Sequence, residues 1–197
     1  MDKLVIEGGK TLKGEVVISG SKNATLPILA STLLTDQPCI IKGVPALRDV
    51  YTMIRLLRSL GKNVDFNHQV IKITSSGNYY YVADYKLVST MRASFCVLGP
   101  LLAKVKKAKV SLPGGCVIGV RPVDLHLKGL VKLGADIDIE AGYVVAKVDK
   151  ALKGTHIYLG GAFGSSVLAT ANVMMAAVLA TGTTTIESAA CEPEIVD

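Results

Sequence analysis

The 197-residue sequence has no tryptophan, and aromatic residues make up only 5% of it. A surface that binds nucleic acid by stacking interleaves aromatics with a broad basic face. Here the formal charge is +6, and the one dense basic run, Lys104, Lys106, Lys107 and Lys109, reads as a solvated helix end and turn. No nucleic-acid partner is expected. Long apolar runs are missing too. The longest, about 167–180, is broken by Thr170 and Asn172 and is too short for a membrane span, so no membrane partner is expected. Met1-Asp2-Lys3 leads straight into a strand-like stretch with no basic and apolar leader, and the expected location is cytoplasmic. The four cysteines form no Cys-x-x-Cys pair and have no histidine at zinc spacing. Neither a disulfide nor a metal site is expected, and nothing calls for a cofactor.

What is present is aliphatic. Half of the residues are hydrophobic, which with so few aromatics fits an α/β or α+β protein with aliphatic layers. Residues 3–7 and 15–19 alternate like strands. Helices are expected at 24–34, 48–60, 91–103, 123–133 and 165–180. Strands are expected at 39–41, 63–66, 70–74, 109–112, 136–140, 143–148 and 184–187. Leu60-Gly61-Lys62 recurs as Leu133-Gly134-Ala135, 73 residues on, and the first helices of three units start near Lys22, Met91 and Ser165. Repeats this long point to pseudo-threefold symmetry, because one unit alone cannot bury its apolar face. The third unit stops at Glu192-Pro193-Glu194, a helix start with Pro at its first position, so the chain is expected to be a piece of a longer or split protein.

Chemistry concentrates at the starts of helices. Gly20-Ser21-Lys22-Asn23 places an ammonium where free N–H groups and the helix dipole favour an anion, although a solvated lysine explains it too. Arg92 in Met91-Arg92-Ala93-Ser94 is unfavourable beside a helix N-terminus unless an anion or an ion pair offsets it. Gly160-Gly161-Ala162-Phe163-Gly164-Ser165-Ser166 forms the third such corner, suited to phosphate or to a plain capped turn. The three corners occupy equivalent places, as though they converge on one anionic ligand. The richest stretch is 111–126. Cys116 lies among glycines with Arg121 nearby, a guanidinium that suits a carboxylate or phosphate and favours thiolate. Pro122 is read as the first residue of the next helix and Asp124 as part of its first turn. His126 is too far along that helix to serve as a base for Cys116, and a ligand or structural role is preferred.

Gly20-Ser21-Lys22-Asn23-Ala24, Met91-Arg92-Ala93-Ser94 and Leu112-Pro113-Gly114-Gly115-Cys116-x-Ile118-Gly119-x-Arg121-Pro122-Val123-Asp124-Leu125-His126 closely resemble the UDP-N-acetylglucosamine 1-carboxyvinyltransferases. The similarity spans the whole chain but about the N-terminal half of the usual family length. It implies an inside-out α/β domain of βαβαββ repeats about a pseudo-threefold axis, with the third repeat truncated. Residues 1–20 would be strands of a second, largely absent domain, and residues 21–197 would form the first domain, incomplete at its C-terminus. It implies transfer of the enolpyruvyl group of phosphoenolpyruvate to the sugar 3-hydroxyl of UDP-N-acetylglucosamine, the first committed step of peptidoglycan synthesis. Cys116 would be the proton donor and the fosfomycin target. Lys22, Asn23 and Arg121 would bind phosphoenolpyruvate. Arg92, Arg121, Pro122, Val123, Asp124, Leu125, Gly161, Ala162, Phe163 and Gly164 would bind the nucleotide sugar. The sequence departs from the family's pattern at Gly161–Ser165. The resemblance also implies that an aspartate and an arginine come from the second domain, so this chain alone is expected to be inactive. The alternatives are a shikimate-3-phosphate enolpyruvyl transferase relative, against which the Pro-Gly-Gly-Cys loop argues, and a non-catalytic nucleotide-sugar-binding half-protein.

Overall fold

The computed structural model describes residues 3–114, 123–162 and 164–196. The order of elements is α1 (Lys22–Ser31), β1 (Cys39–Lys42), α2 (Arg48–Ser59), β2 (Lys62–Asn67), β3 (Val70–Ser75), β4 (Val82–Ala83), α3 (Tyr85–Val88), a 3-10 helix (Arg92–Val97), α4 (Leu98–Val105), β5 (Lys107–Ser111), α5 (Asp124–Lys132), β6 (Asp136–Glu140), β7 (Tyr143–Lys147), β8 (His156–Tyr158), α6 (Val167–Ala177), β9 (Thr185–Glu187) and α7 (Pro193–Val196). The strands form three separate sheets, ordered β1-β3-β2, β4-β5-β7-β6 and β8-β9.

Each sheet belongs to one repeat. β1 and β2 run antiparallel to β3, with Ile41 opposite Ile71 and Val64 opposite Ile73. β5 and β6 run antiparallel to β7 in the same way. β4 lies parallel to β5, and β8 parallel to β9. The βαβαββ order is therefore complete in the second unit, from β4 to β7. The first unit supplies the equivalents of β5-β7-β6, and the third those of β4-β5.

The helices are inside and the sheets outside. α6 packs against α4, α5 and the 3-10 helix, and α1 packs against α2, α6 and the 3-10 helix. α6 is apolar on nearly every side, and residues 169–173 are all buried, as a helix at the centre of the domain requires. The core joins Leu26 and Leu29 of α1, Leu98, Leu101 and Leu102 of α4, Leu130 of α5 and Val173 of α6 in one cluster. α2 is amphipathic, buries Val50, Met53, Ile54 and Leu57, and packs against both α1 and β2. Gly61 and Gly134, at φ +97° and +98°, follow α2 and α5 in the backbone conformation that glycine adopts without strain. No helix among the described residues is long and apolar enough to cross a membrane.

Several sequence expectations change. Residues 3–20 contain no strand, and their apolar side chains stand in solvent, Leu4 at 94% and Val17 at 97% exposure. An alternating pattern makes a strand only where a neighbouring strand takes its hydrogen bonds. Among the described residues none pairs with this segment. The single helix expected at 91–103 is a 3-10 turn followed by α4, which runs to Val105. The residue before that turn is Met91, with no side-chain cap, and the nearby Thr90 hydroxyl donates to Leu87 O. β4, α3 and β8, two to four residues each, were not anticipated. The basic run ends α4 and opens β5, where Lys104 pairs with Asp36 and Lys107 lies over the Tyr81 ring.

Candidate active site

The site grows out of helix starts. Ser21 precedes α1 in extended conformation, and its hydroxyl accepts from Ala24 N–H at 3.3 Å, so the helix begins at Lys22 with that side chain at its outermost turn. α1 has no acidic residue in its first turn. The balancing charge comes from the neighbouring helix: Asp49 of α2 lies 3.1 Å from Lys22 Nζ. At the third helix start it is Ser166, not Ser165, that caps α6, accepting from Ala169 N–H at 3.3 Å.

These starts share one cavity of about 520 Å³. Lys22 and Asn23 line it from α1, Arg92 from the 3-10 helix, and Val167 and Leu168 from α6. The expected convergence of three repeats on one space is therefore present. The third repeat contributes an apolar helix start instead of the Gly161–Ser165 turn. Gly114, the last described residue before Cys116, also lines the cavity, against Ser89. Cys116, Arg121, Pro122 and Phe163 lie outside the described residues.

The remaining predicted residues are not part of the cavity lining. Val123, Asp124 and Leu125 open α5. Gly161 and Gly164 exchange two backbone hydrogen bonds of 3.0 Å, which closes a tight turn around Ala162. A Cβ added at Gly161 would lie 3.2 Å from Leu125 Cδ1, so the start of α5 and this turn are neighbours. Predicted residues of the second and third repeats thus meet at this point, outside the lining of the charged cavity.

Three carboxylates were missed: Asp49, Glu192 and Glu194 all line the cavity. The signal for Asp49 was its place in the first turn of an amphipathic helix. That for the two glutamates was Pro193 between them at a helix start. Behind the site sits His126, 3% exposed, whose Nδ1 lies 3.0 Å from Asn172 Nδ2 and whose ring meets Phe95 edge to face at 5.2 Å. Burial, reinforced by the Arg92 charge, pushes its pKa down to about 3, so the ring is neutral at physiological pH. Burial of Cys96 pushes that thiol up to about 12, which leaves it inert.

Known proteins resemble this chain in sequence and in fold. UDP-N-acetylglucosamine 1-carboxyvinyltransferases from Methylacidiphilum infernorum, Thermodesulfovibrio yellowstonii and Akkermansia muciniphila are 55%, 56% and 49% identical to the whole chain. The chain spans 46% of the length of each. Among solved structures, the enolpyruvyl transferase NikO from Streptomyces tendae superposes with TM-score 0.80 at 19% identity, covering 96% of this chain and 44% of that one. EPSP synthase from Acinetobacter baumannii superposes with TM-score 0.73 at 18% identity, covering 96% and 43%. At those identities the structures speak for the fold, and both belong to enolpyruvyl transferases. Residues 6–197 match one family model, and on that match the chain belongs to the EPSP synthase (3-phosphoshikimate 1-carboxyvinyltransferase) family.

Proposed function

We propose that the chain is about half of a cytoplasmic enolpyruvyl transferase that joins phosphoenolpyruvate to the 3-hydroxyl of UDP-N-acetylglucosamine and releases phosphate. The observation that carries the reading is the shared cavity, in which Lys22 and Asn23 of the first repeat meet Arg92 of the second. Both substrates are anionic, and an ammonium, an amide and a guanidinium at helix starts are suited to hold them. The curated relatives that match the whole chain bear the name of this activity.

In the proposed reaction, Lys22 and Asn23 hold the phosphate of phosphoenolpyruvate, and Arg121 lies between the anionic groups of the two substrates. The sugar 3-hydroxyl attacks C2 and loses its proton, while the Cys116 thiol delivers a proton to C3. A tetrahedral ketal forms. Loss of one C3 proton and of phosphate then gives the enolpyruvyl ether. The cations act mainly by stabilising charge that builds on phosphate and carboxylate. Arg92, with residues 121–125 and the 161–164 turn, holds the nucleotide sugar. Leu125 and Gly161 lie in contact, which brings the start of α5 and the 161–164 turn together to hold the nucleotide part of that substrate. The second domain of the same protein would supply the base for the sugar hydroxyl and would pair with residues 1–20.

The test is phosphate release by the whole protein from phosphoenolpyruvate, offered UDP-N-acetylglucosamine or shikimate 3-phosphate as acceptor. Release with the nucleotide sugar, blocked by a single fosfomycin adduct on Cys116, is expected. Release with shikimate 3-phosphate alone, or none with either, overturns the reading.

A further inference from the structure

α6 carries two polar side chains on an otherwise apolar helix, Thr170 and Asn172, and both are buried. Asn172 is fully buried, and both polar atoms of its amide have partners. Its Oδ1 accepts from Gly99 N–H at 2.6 Å. Its Nδ2 donates to Phe95 O at 3.1 Å and to His126 Nδ1 at 3.0 Å. The amide orientation is fixed, because exchanging O and N would set two donors against each other at Gly99. Nδ2 has only hydrogens to give, so His126 Nδ1 carries the lone pair and its proton is on Nε2.

These three bonds reach three elements. Phe95 is in the 3-10 helix that Arg92 begins. Gly99 is in the first turn of α4. His126 is the third residue of α5, directly after Asp124 and Leu125. Packing alone does not ask for this joint, since a leucine of similar volume fills such a space without polar partners. The polar side chain instead specifies one relative placement, because any slide of α5 against the 3-10 helix leaves a buried donor or acceptor unpaired.

We propose that Asn172 is a positioning residue: through His126 it sets the first turn of α5 at a fixed distance from the helix that begins with Arg92. The inference rests on the reading above, in which Arg92 and residues 121–125 together hold the nucleotide sugar. Asn172 touches neither substrate and acts only through the elements it ties together. Its removal shifts the half of the site that takes the nucleotide sugar and spares Lys22 and Asn23, which sit on α1 and are not bonded to it.

The experiment is steady-state kinetics of the whole protein with N172L, H126L and H126Q. N172L and H126L are expected to raise KM for UDP-N-acetylglucosamine at least tenfold and to change KM for phosphoenolpyruvate less than threefold. H126Q keeps an acceptor for the amide and is expected to recover most of that loss. Equal rises in both KM values, or H126Q no better than H126L, reduce the joint to general packing and overturn the proposal. If N172L does not fold, the two His126 variants decide. If the wild-type protein shows no transfer at all, the functional reading fails separately. Amide NMR of the whole protein then judges the joint: the Arg92, Asp124 and Leu125 signals move in N172L if it stands, and stay put if it does not.

Discussion

The Lys22 ammonium lies 3.1 Å from the Asp49 carboxylate, which links the first turns of α1 and α2 in the cavity wall. Both side chains are partly exposed, so the pair itself contributes little, about 0–1 kcal/mol. A charge-assisted bond from Lys22 to a phosphate is worth more, about 1.5–3 kcal/mol. K22A in the whole protein is therefore expected to raise KM for phosphoenolpyruvate by about 10- to 100-fold, and D49A by no more than about fivefold. A D49A effect as large as that of K22A would show that the carboxylate, not the ammonium, governs this part of the site.

His126 makes stability depend on pH. Its pKa is about 3 in the folded chain and near 6.5 when unfolded, so between those values the unfolded chain binds the extra proton. The contribution is fully present above pH 6.5 and is lost as pH falls toward 3. Between pH 7 and pH 5 the loss is about 2 kcal/mol. Urea unfolding of the 197-residue chain at both pH values measures it, and H126Q is expected to flatten most of the slope. A wild-type imidazole that titrates near 6.5 in the folded chain, seen by NMR, would remove the basis for the effect.

Gly99 is required for close approach, not for a turn. A Cβ there would fall on the Asn172 carbonyl and 2.5 Å from its Oδ1. G99A is expected to cost about 1–3 kcal/mol or more, because backbone rather than a flexible side-chain tip must give way. The midpoint of urea unfolding reads this directly. A change under about 0.5 kcal/mol would mean that α4 and α6 separate easily.

What the sequence made legible was local. α2, with an amphipathic stripe ending at Gly61, and the β6–β7 hairpin carry their own periodicity and turn residues, and they lie within a residue or two of where the pattern puts them. β4 and β8 are too short to show a period and exist because β5 and β9 lie beside them. The pattern at 3–7 and 15–19 is as regular as that of β7, yet it forms no strand, since pairing depends on a partner that the pattern does not contain. The site behaves alike. Lys22, Asn23 and Arg92 are marked by helix starts. Asp49, Glu192 and Glu194 join them only through packing, and charge logic alone keeps carboxylates out of an anion site. Asn172 was visible only as a break in an apolar run.

The exposed arm gives a simple expectation. Residues 3–19 bury almost nothing, whereas Gly20 packs so closely on Gly43 that no side chain fits between them. Deleting residues 1–19 is expected to leave the unfolding free energy of the 197-residue chain within about 0.5 kcal/mol, as surface changes do. It is also expected to reduce self-association, because Leu4, Val5, Ile6 and Val16–Ile18 leave with it. A large loss of stability would show that the arm folds back on the domain in solution.

The charges in the cavity bear on what this chain does alone. Among its described lining residues, Lys22 and Arg92 are cationic, while Asp49, Glu192 and Glu194 are acidic. Phosphoenolpyruvate brings a carboxylate and a phosphate, the latter worth about −1.5 to −2 charges at pH 7. Two cations facing three carboxylates do not neutralise such a ligand, and an open cavity keeps water on the charges that remain. The isolated 197-residue chain is therefore expected to bind phosphoenolpyruvate more weakly than about 1 mM, which corresponds to roughly 4 kcal/mol. It is expected to release no phosphate above background with both substrates present. Calorimetric titration and a phosphate assay, each run beside the whole protein, check the two halves of the statement. Turnover by the isolated chain would mean that residues 1–197 carry a complete set of charges and proton carriers, with Cys116 and Arg121 making up the deficit.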